Sequence, residues 1–404
     1  MVTRNAFRSR KMTAGACFAV GMTTALSVTT PQAAGTIREA IGDGKTAIDL
    51  RYRYEYVNQD GVQKDAGAST LRTRLGYTTA AFEDFTAMLE FEDISVIGTE
   101  RYDSTLNGKT SYAVVMDPPL TEVNRAFVQF DGVEDTVLRA GRQRIVLGNQ
   151  RFAGNDSWRQ NEQTFDALSA VNKTLVDTEL TYAFVTHVNT VAGAMLESKS
   201  HLFQAAYTGL PVGRVDGYLY LLDLNGAAED SATFGARFSG KQVYDQWTSL
   251  IYAVELATQS DYADAPSSAD ADYLAFEIGG DTSGVTAMFG YEALGGDGVY
   301  GFQTPLATKH AFNGWADKFL VTPANGLRDI YVSLGTDIGT LSMLGVYHDF
   351  SPESGGADFG SEFDFVITRK FAHYYDVGVK FAAYSADNFD KDTNKIWTWV
   401  STAF

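Results

Sequence analysis

The sequence predicts an all-β fold, a single transmembrane antiparallel barrel of about 18 strands. Three observations predict it. From Thr46 onward apolar and polar residues alternate with a period of two. The connections between the alternating segments are long and short by turns. Beyond the N-terminal segment no apolar run approaches the ~20 residues that a spanning helix needs.

The N-terminal segment reads separately. Arg4, Arg8, Arg10 and Lys11 precede a small and apolar run from Met12 to Val28, and Pro31, Gln32, Ala33, Ala34 and Gly35 supply a small-residue cleavage region. That is the build of a secretory signal, so residues 1–34 are read as a cleaved signal, cut near Ala34, and 35–404 as the barrel. Cys17 is the sole cysteine; an acylated lipoprotein would want a large aliphatic residue where Ala14 stands. Its removal leaves no thiol, which suits an oxidising periplasm and excludes a disulfide framework or thiolate metal site. The chain carries 32 Lys and Arg against 50 Asp and Glu, a net charge of −18; without the four basic signal residues, 28 against 50 leaves −22. So acidic a chain has no electrostatic footprint for nucleic acid.

The first strand, 46–58, is the clearest: Ile48, Leu50, Tyr52, Tyr54 and Tyr56 interleave with Asp49, Arg51, Arg53 and Glu55. The next, 69–79, sets Leu71, Leu75 and Tyr77 against Arg72, Arg74 and Thr78. The third, 85–96, sets Phe85, Ala87, Leu89 and Phe91 against Glu90 and Glu92. The same reading marks 121–130, 136–145, 164–172, 177–189, 199–208 and 214–224. It continues through 231–240, 247–259, 271–280, 285–294, 327–335, 340–350, 361–369, 374–385 and 392–404, with no helical spacing anywhere. The lengths sit near the ~10 residues of a tilted spanning strand, and the count is even.

Long connections at 97–120, 146–163, 260–270 and 295–326 alternate with tight ones at 131–135, 173–176, 209–213, 281–284, 336–339 and 370–373. Short periplasmic turns and long extracellular loops produce that alternation; a soluble sandwich or propeller has no cause for it. Aromatic residues gather near strand ends, as in Tyr54 and Tyr56, Phe82 and Phe85, Tyr244 and Trp247, and Tyr374 and Tyr375, where interface girdles belong. A dry core would not hold so many charges on the opposite face, so the lumen is expected to be wet. The last strand alternates Ile396, Thr398, Val400 and Thr402 and reaches Phe404, which resembles the strand signal read by the barrel assembly machinery.

Two stretches carry a family resemblance: GRQRIVLGNQRFAGNDSWRQNEQTFDAL from Gly141 to Leu168, and FQTPLATKHAFNGWADKFLVTPANGLRDIY from Phe302 to Tyr331. They resemble the alginate-export family of outer-membrane porins, as do the RYRYEY and LRTRLGY strands. The resemblance implies a monomeric barrel with an arginine-lined pore that guides an anionic solute. The basic residues that fit are Arg51, Arg53, Arg72, Arg74, Arg125, Arg139, Arg142, Arg144, Arg151 and Arg159. The first four point inward by alternation. Arg142 and Arg144 share the parity of Leu138 and Ala140, so a bulge or a position above the membrane is needed for them to face the pore. Arg151 and Arg159 lie in a long loop.

By the same parity Glu90, Glu92, Glu255, Glu277, Glu292, Asp329 and Asp376 face inward. Facing rows of opposite sign would set up a transverse field instead of a uniformly positive path. Trp158, Trp315, Asp317 and Lys318 mark the two loops best placed to fold inward as a constriction.

The expected function is an outer-membrane channel for small hydrophilic solutes, anionic sugars of the uronate or oligosaccharide kind included. Outer-membrane lipid, lipopolysaccharide and the assembly machinery are the expected partners, and no cofactor is expected. The alternatives are a non-selective diffusion porin, or a barrel enzyme or adhesin. An enzyme needs convergent chemistry, yet His187, His201, His310, His348 and His373 are scattered without metal-ligand spacing. Asp390, Asp392 and Asn394 begin like a calcium loop, but Lys395 and Ser401 stand at its Gly and Glu positions. Gly295, Gly296 and Gly298 precede no helix that would cradle phosphate. The first strand starts too soon after the cleavage region to leave room for the plug of a TonB-dependent receptor.

Overall fold

The structure, a computed structural model, describes residues 34–225, 230–265, 269–372 and 374–404. The segment 1–34 read as a signal, with Cys17, and His373 lie outside the described residues, Ala34 excepted. The first nine strands are β1 (Lys45–Gln59), β2 (Ala66–Thr78), β3 (Phe85–Val96), β4 (Leu120–Val133), β5 (Thr136–Gln143), β6 (Thr164–Asn172), β7 (Thr178–Asn189), β8 (Met195–Leu210) and β9 (Gly213–Leu222). The second nine are β10 (Ser231–Val243), β11 (Thr248–Ser260), β12 (Asp270–Thr282), β13 (Val285–Leu294), β14 (Leu327–Ile338), β15 (Leu341–Ser351), β16 (Gly360–Phe371), β17 (Tyr375–Ala386) and β18 (Thr393–Ala403). Each overlaps one segment read from the sequence.

Every strand pairs antiparallel with its neighbour in sequence, and β1 pairs with β18 from Asp49 opposite Ala403 to Gln59 opposite Thr393. The sheet is therefore closed. Closure is what makes strands tolerable in lipid, because no edge is left with unpaired N–H and C=O groups. A short helix, α1 (Ile37–Gly42), stands before β1, where no helix was expected. Six residues are too few to register as a helical period; Thr36 caps them, its hydroxyl accepting from the Glu39 N–H at 3.2 Å.

The alternation sorts side chains as expected. Tyr52, Tyr54, Leu75, Leu89, Phe91, Phe203, Leu256, Phe289, Leu334 and Phe363 stand exposed on the outer wall. At the short-turn end lie aromatic pairs: Phe85 with Phe130 at 4.6 Å and Phe371 with Tyr375 at 5.0 Å between ring centres.

The two loops marked for a constriction do fold inward, but the lumen is drier than expected. The connections 144–163 and 295–326 fold into the barrel and pack there, so the loop-end half of the lumen holds protein instead of water. Phe152 inserts among Tyr218, Tyr220, Tyr273 and Phe302, at 5.2, 6.2, 5.3 and 5.9 Å. Phe319 does the same among Phe350, Phe359 and Phe389, at 4.6, 5.8 and 5.0 Å. Such ring contacts contribute about 0.5–1.5 kcal/mol each beyond the area they bury. The cause is visible in hindsight on the inward positions of β9–β13. They mix Glu255, Glu277 and Glu292 with Tyr218, Tyr220, Leu222, Tyr273 and Leu294.

One bulge bears directly on the lumen wall. Glu90 pairs with Arg125 while Phe91 pairs with Val123, so Asn124 is an extra residue in β4. Asn124 and Arg125 both bond the inward Glu90 as a result.

Candidate constriction and lumen wall

β1 and β2 hold four arginines on the lumen wall, and each is tied down. Arg51 donates from Nε to Gln160 Oε1 at 2.8 Å, from Nη1 to the Ser157 carbonyl at 3.1 Å, and from Nη2 to the Arg159 carbonyl. Arg53 donates to the Trp158 carbonyl at 2.6 Å and to the Asp117 carboxylate. Arg72 meets Asp49 at 2.6 Å. Arg74 bonds Glu92 and lies 3.4 Å from Glu162.

Glu162 is the hub of the first inward loop. It accepts from Arg144 at 2.5 Å, Asn124 at 2.7 Å and Asn155 at 2.8 Å. Burial alone would raise its carboxyl; Arg74 and Arg144 outweigh burial and hold it well below the usual carboxylate range. Arg151 reaches the far wall, donating to Glu292 at 2.6 Å and to Asn313 Oδ1 at 3.0 Å. Asn313 in turn donates to Glu292 at 2.5 Å and Asp329 at 3.3 Å.

The second inward loop is held by the β16–β18 wall. Asp317 accepts from Arg159 at 2.6 Å and Lys395 at 2.8 Å and pairs with His310 Nδ1 at 2.6 Å. Burial opposes its charge, but His310, Lys395 and Arg159 together keep the carboxyl well below its usual value. The Trp315 N–H donates to Asp364 at 3.1 Å and the Ala316 N–H to Glu362 at 2.6 Å. Lys318 pairs with Asp390 at 3.0 Å.

The carboxylates read from parity are inward, and most already have partners. Glu90 takes Arg125 at 2.6 and 2.9 Å; Glu255 and Glu277 share Arg237 at 3.0 and 2.7 Å. Asp329 meets His348 at 2.9 Å, and Asp376 accepts from the Trp399 indole at 3.1 Å. Positive and negative groups thus neutralise one another locally instead of forming separated rows. Two lumen arginines form no ion pair among the described residues: Arg51, whose donors go to Gln160 and two loop carbonyls, and Arg139, whose Nε donates to Gln129 at 2.7 Å and whose guanidinium lies 5.2 Å from the centre of the Phe127 ring.

Arg142 is a correction. It stays in register opposite Ala126 and shares the outer face with Leu138, so it stands on the outer wall, bonded to Asp166 at 2.7 Å and to the Val123 carbonyl at 3.0 Å. β5 ends at Gln143, and the irregular chain beyond it turns Arg144 inward to Glu162. Several residues of the site escaped the sequence reading. Arg237, Glu362, Asp364, Lys380 and Lys395 sit at inward parity and were within its reach. Asp117 and Glu162 lie in aperiodic loops and were not.

A closed barrel with an apolar outer wall and a charged lumen defines an integral outer-membrane protein of porin type. More particularly, the chain belongs to the alginate export family, whose sequence pattern matches residues 44–292. That span covers the first of the two resembling stretches and ends before the second. No curated protein matches in sequence. Among solved structures, the chain resembles OccAB4 of Acinetobacter baumannii at 13% identity and TM-score 0.70, over 89% of this chain and 98% of that one. It resembles Pseudomonas aeruginosa OpdK, solved with vanillate, at 14% identity and TM-score 0.69, over 89% and 98%. For Pseudomonas aeruginosa OccK9 the values are 14% and 0.71, over 90% and 100%. At these identities the likeness is one of fold.

Proposed function

We propose that the chain is a passive channel for small hydrophilic solutes, with its short turns toward the periplasm and its long loops outside. Lipid, lipopolysaccharide and the assembly machinery are its surroundings, and one barrel is the working unit. The carrying observation is a lumen wall lined with charge behind an apolar outer wall, narrowed by two inward loops. A wall that only had to seal a membrane has no use for buried ions that are costly to desolvate.

We place the solute path beside Arg125 and Arg144, whose side chains keep 21% and 32% of their surface. Because most lumen arginines are neutralised by carboxylates and Arg51 spends its donors on Gln160 and two loop carbonyls, the preference for anions rests on Arg139. Asp131 accepts from the Gln129 amide at 2.8 Å, Gln129 holds Arg139 Nε, and the other guanidinium nitrogens have no hydrogen-bond partner among the described residues. That end of the fork suits a carboxylate.

Single-channel recording with salt-gradient reversal potentials tests the reading, followed by oligouronates and neutral oligosaccharides. Block by the anionic sugar alone supports an anion path, and indifference to both supports a general diffusion porin. Arg139→Glu is expected to move the reversal potential toward cations; an unchanged value removes Arg139 from the path, and no conductance in any form of the protein ends the channel reading.

A further inference from the structure

Two loops from distant parts of the chain meet at one lysine of the wall. The Lys380 ammonium lies 4.2 Å from the ring centre of Trp158, 3.7 Å from that of Trp315 and 5.6 Å from that of Trp397. Trp158 belongs to the loop 144–163, Trp315 to the loop 295–326, and Trp397 to β18. Lys380 donates to His310 Nε2 at 2.7 Å and has no carboxylate in ion-pair range among the described residues. His310 must then accept at Nε2, which leaves its Nδ1–H to donate to Asp317. The imidazole stacks on Trp158 at 4.9 Å with 5° between planes.

We propose that Lys380 is the latch that keeps both inward loops closed across the lumen, a regulation that rests on the channel function proposed above. The chemistry suits a latch better than a static brace. A carboxylate on the wall would hold the ammonium whether or not the loops were in place. Here one loop supplies Trp158 and the other supplies Trp315 and His310, with only Trp397 on the wall itself, so departure of either loop strips the cation of part of its cage. The full cage is therefore joint: it forms only with both loops in place. Indole faces bind an alkylammonium through the ring quadrupole in a desolvated site, and the cage would accept a small free amine in place of the side chain.

The test is planar-bilayer recording of Lys380→Ala, with Lys380→Met as the variant that keeps bulk without charge. Trp158→Leu opens the same cage from the loop side. Heat-modifiable gel mobility verifies that each barrel has folded. All three are expected to raise the open fraction at least roughly tenfold, as loss of a desolvated cation–π cage implies. Millimolar n-propylammonium is expected to return Lys380→Ala to the wild-type trace, while n-propanol leaves it open. A brace without latch function would not respond to the amine. Wild-type and variant traces that coincide overturn the latch and leave the channel standing. Variants that open without rescue by the amine overturn the cage as its basis, and silence from every folded form removes the channel and the latch together.

Discussion

Glu162→Gln probes the hold of the first inward loop, since it keeps the shape of the side chain and deletes its charge. The carboxylate sits 2.5 Å from Arg144 and 3.4 Å from Arg74, with Asn124 and Asn155 completing its hydrogen bonds. Removing one partner of a buried pair costs about 3–5 kcal/mol. The low end applies: Arg74 keeps Glu92, and Arg144 keeps Glu90 at 3.9 Å with its side chain 32% exposed. A loss of about 3 kcal/mol raises the population with the loop lifted by roughly a hundredfold. Hydrogen exchange in nanodiscs reads this at the Gln160 N–H, which donates to Asp117, and the Gln163 N–H, which donates to the Asn155 carbonyl. Both amides are expected to exchange roughly a hundred times faster with strand amides unchanged, the size following from the same pair energy. Unaltered protection at Gln160 and Gln163 would refute the hub. The sign with pH follows from the lowered carboxyl. Its contribution is complete above the ordinary Glu value of about 4.3 and fades only as pH falls through the lower folded value, so the wild-type loop stays protected at mildly acid pH.

Two further outcomes are expected. Gly314 has φ of +82°, and a Cβ there would lie 2.5 Å from the Glu362 carboxylate, so Gly314→Ala costs about 1–2 kcal/mol and speeds exchange at the Trp315 and Ala316 amides roughly tenfold; equal rates would count against that seat. The pH response of the latch is masked by two opposed groups. Burial, with Lys380 and Arg159, holds the His310 imidazole well below its ordinary value despite Asp317, so release lets it take a proton below pH ~6.5 and acid favours release. Burial, with Asp317, pushes the Asp156 carboxyl up to about 6 against Arg159, Lys309 and Arg53, so release makes it give a proton up and acid favours closure. Glu362 and Asp364 also face the second loop, from β16. Asp156→Asn is expected to unmask His310, the open fraction rising by up to roughly tenfold per pH unit below pH ~6.5; a flat profile would remove His310 from the latch.

Which face each strand turns outward was legible because lipid accepts only one answer. Tyr52 and Leu75 had to leave the lumen to Arg51, Arg53, Arg72 and Arg74, and the period of two carries that choice along every strand. Pairing within the lumen was not legible. Arg74 meets Glu92 because a particular register puts them opposite, and a slip of one residue would have changed every such pair. The extra residue Asn124 shifts its strand with no mark in the sequence that separates it from its neighbours. Arg142 fell on the outer wall because the strand kept its parity where a bulge had been required. The joining of Trp158 to Lys380 depends on two aperiodic loops crossing the barrel, and such tertiary packing leaves no period to read.

The seam between β1 and β18 has a cost in the making of the protein. Every other pairing joins strands that follow one another in the chain and can zip as each hairpin arrives. The seam alone joins the two most distant strands, so it must wait for all the rest, and pairings of that range are slow. Until it shuts, two bare flanks are open to any foreign strand. A substitution that weakens a seam pair of the outer wall, such as Tyr52 opposite Val400, would therefore tell on the yield of finished barrels more than on the behaviour of those that closed.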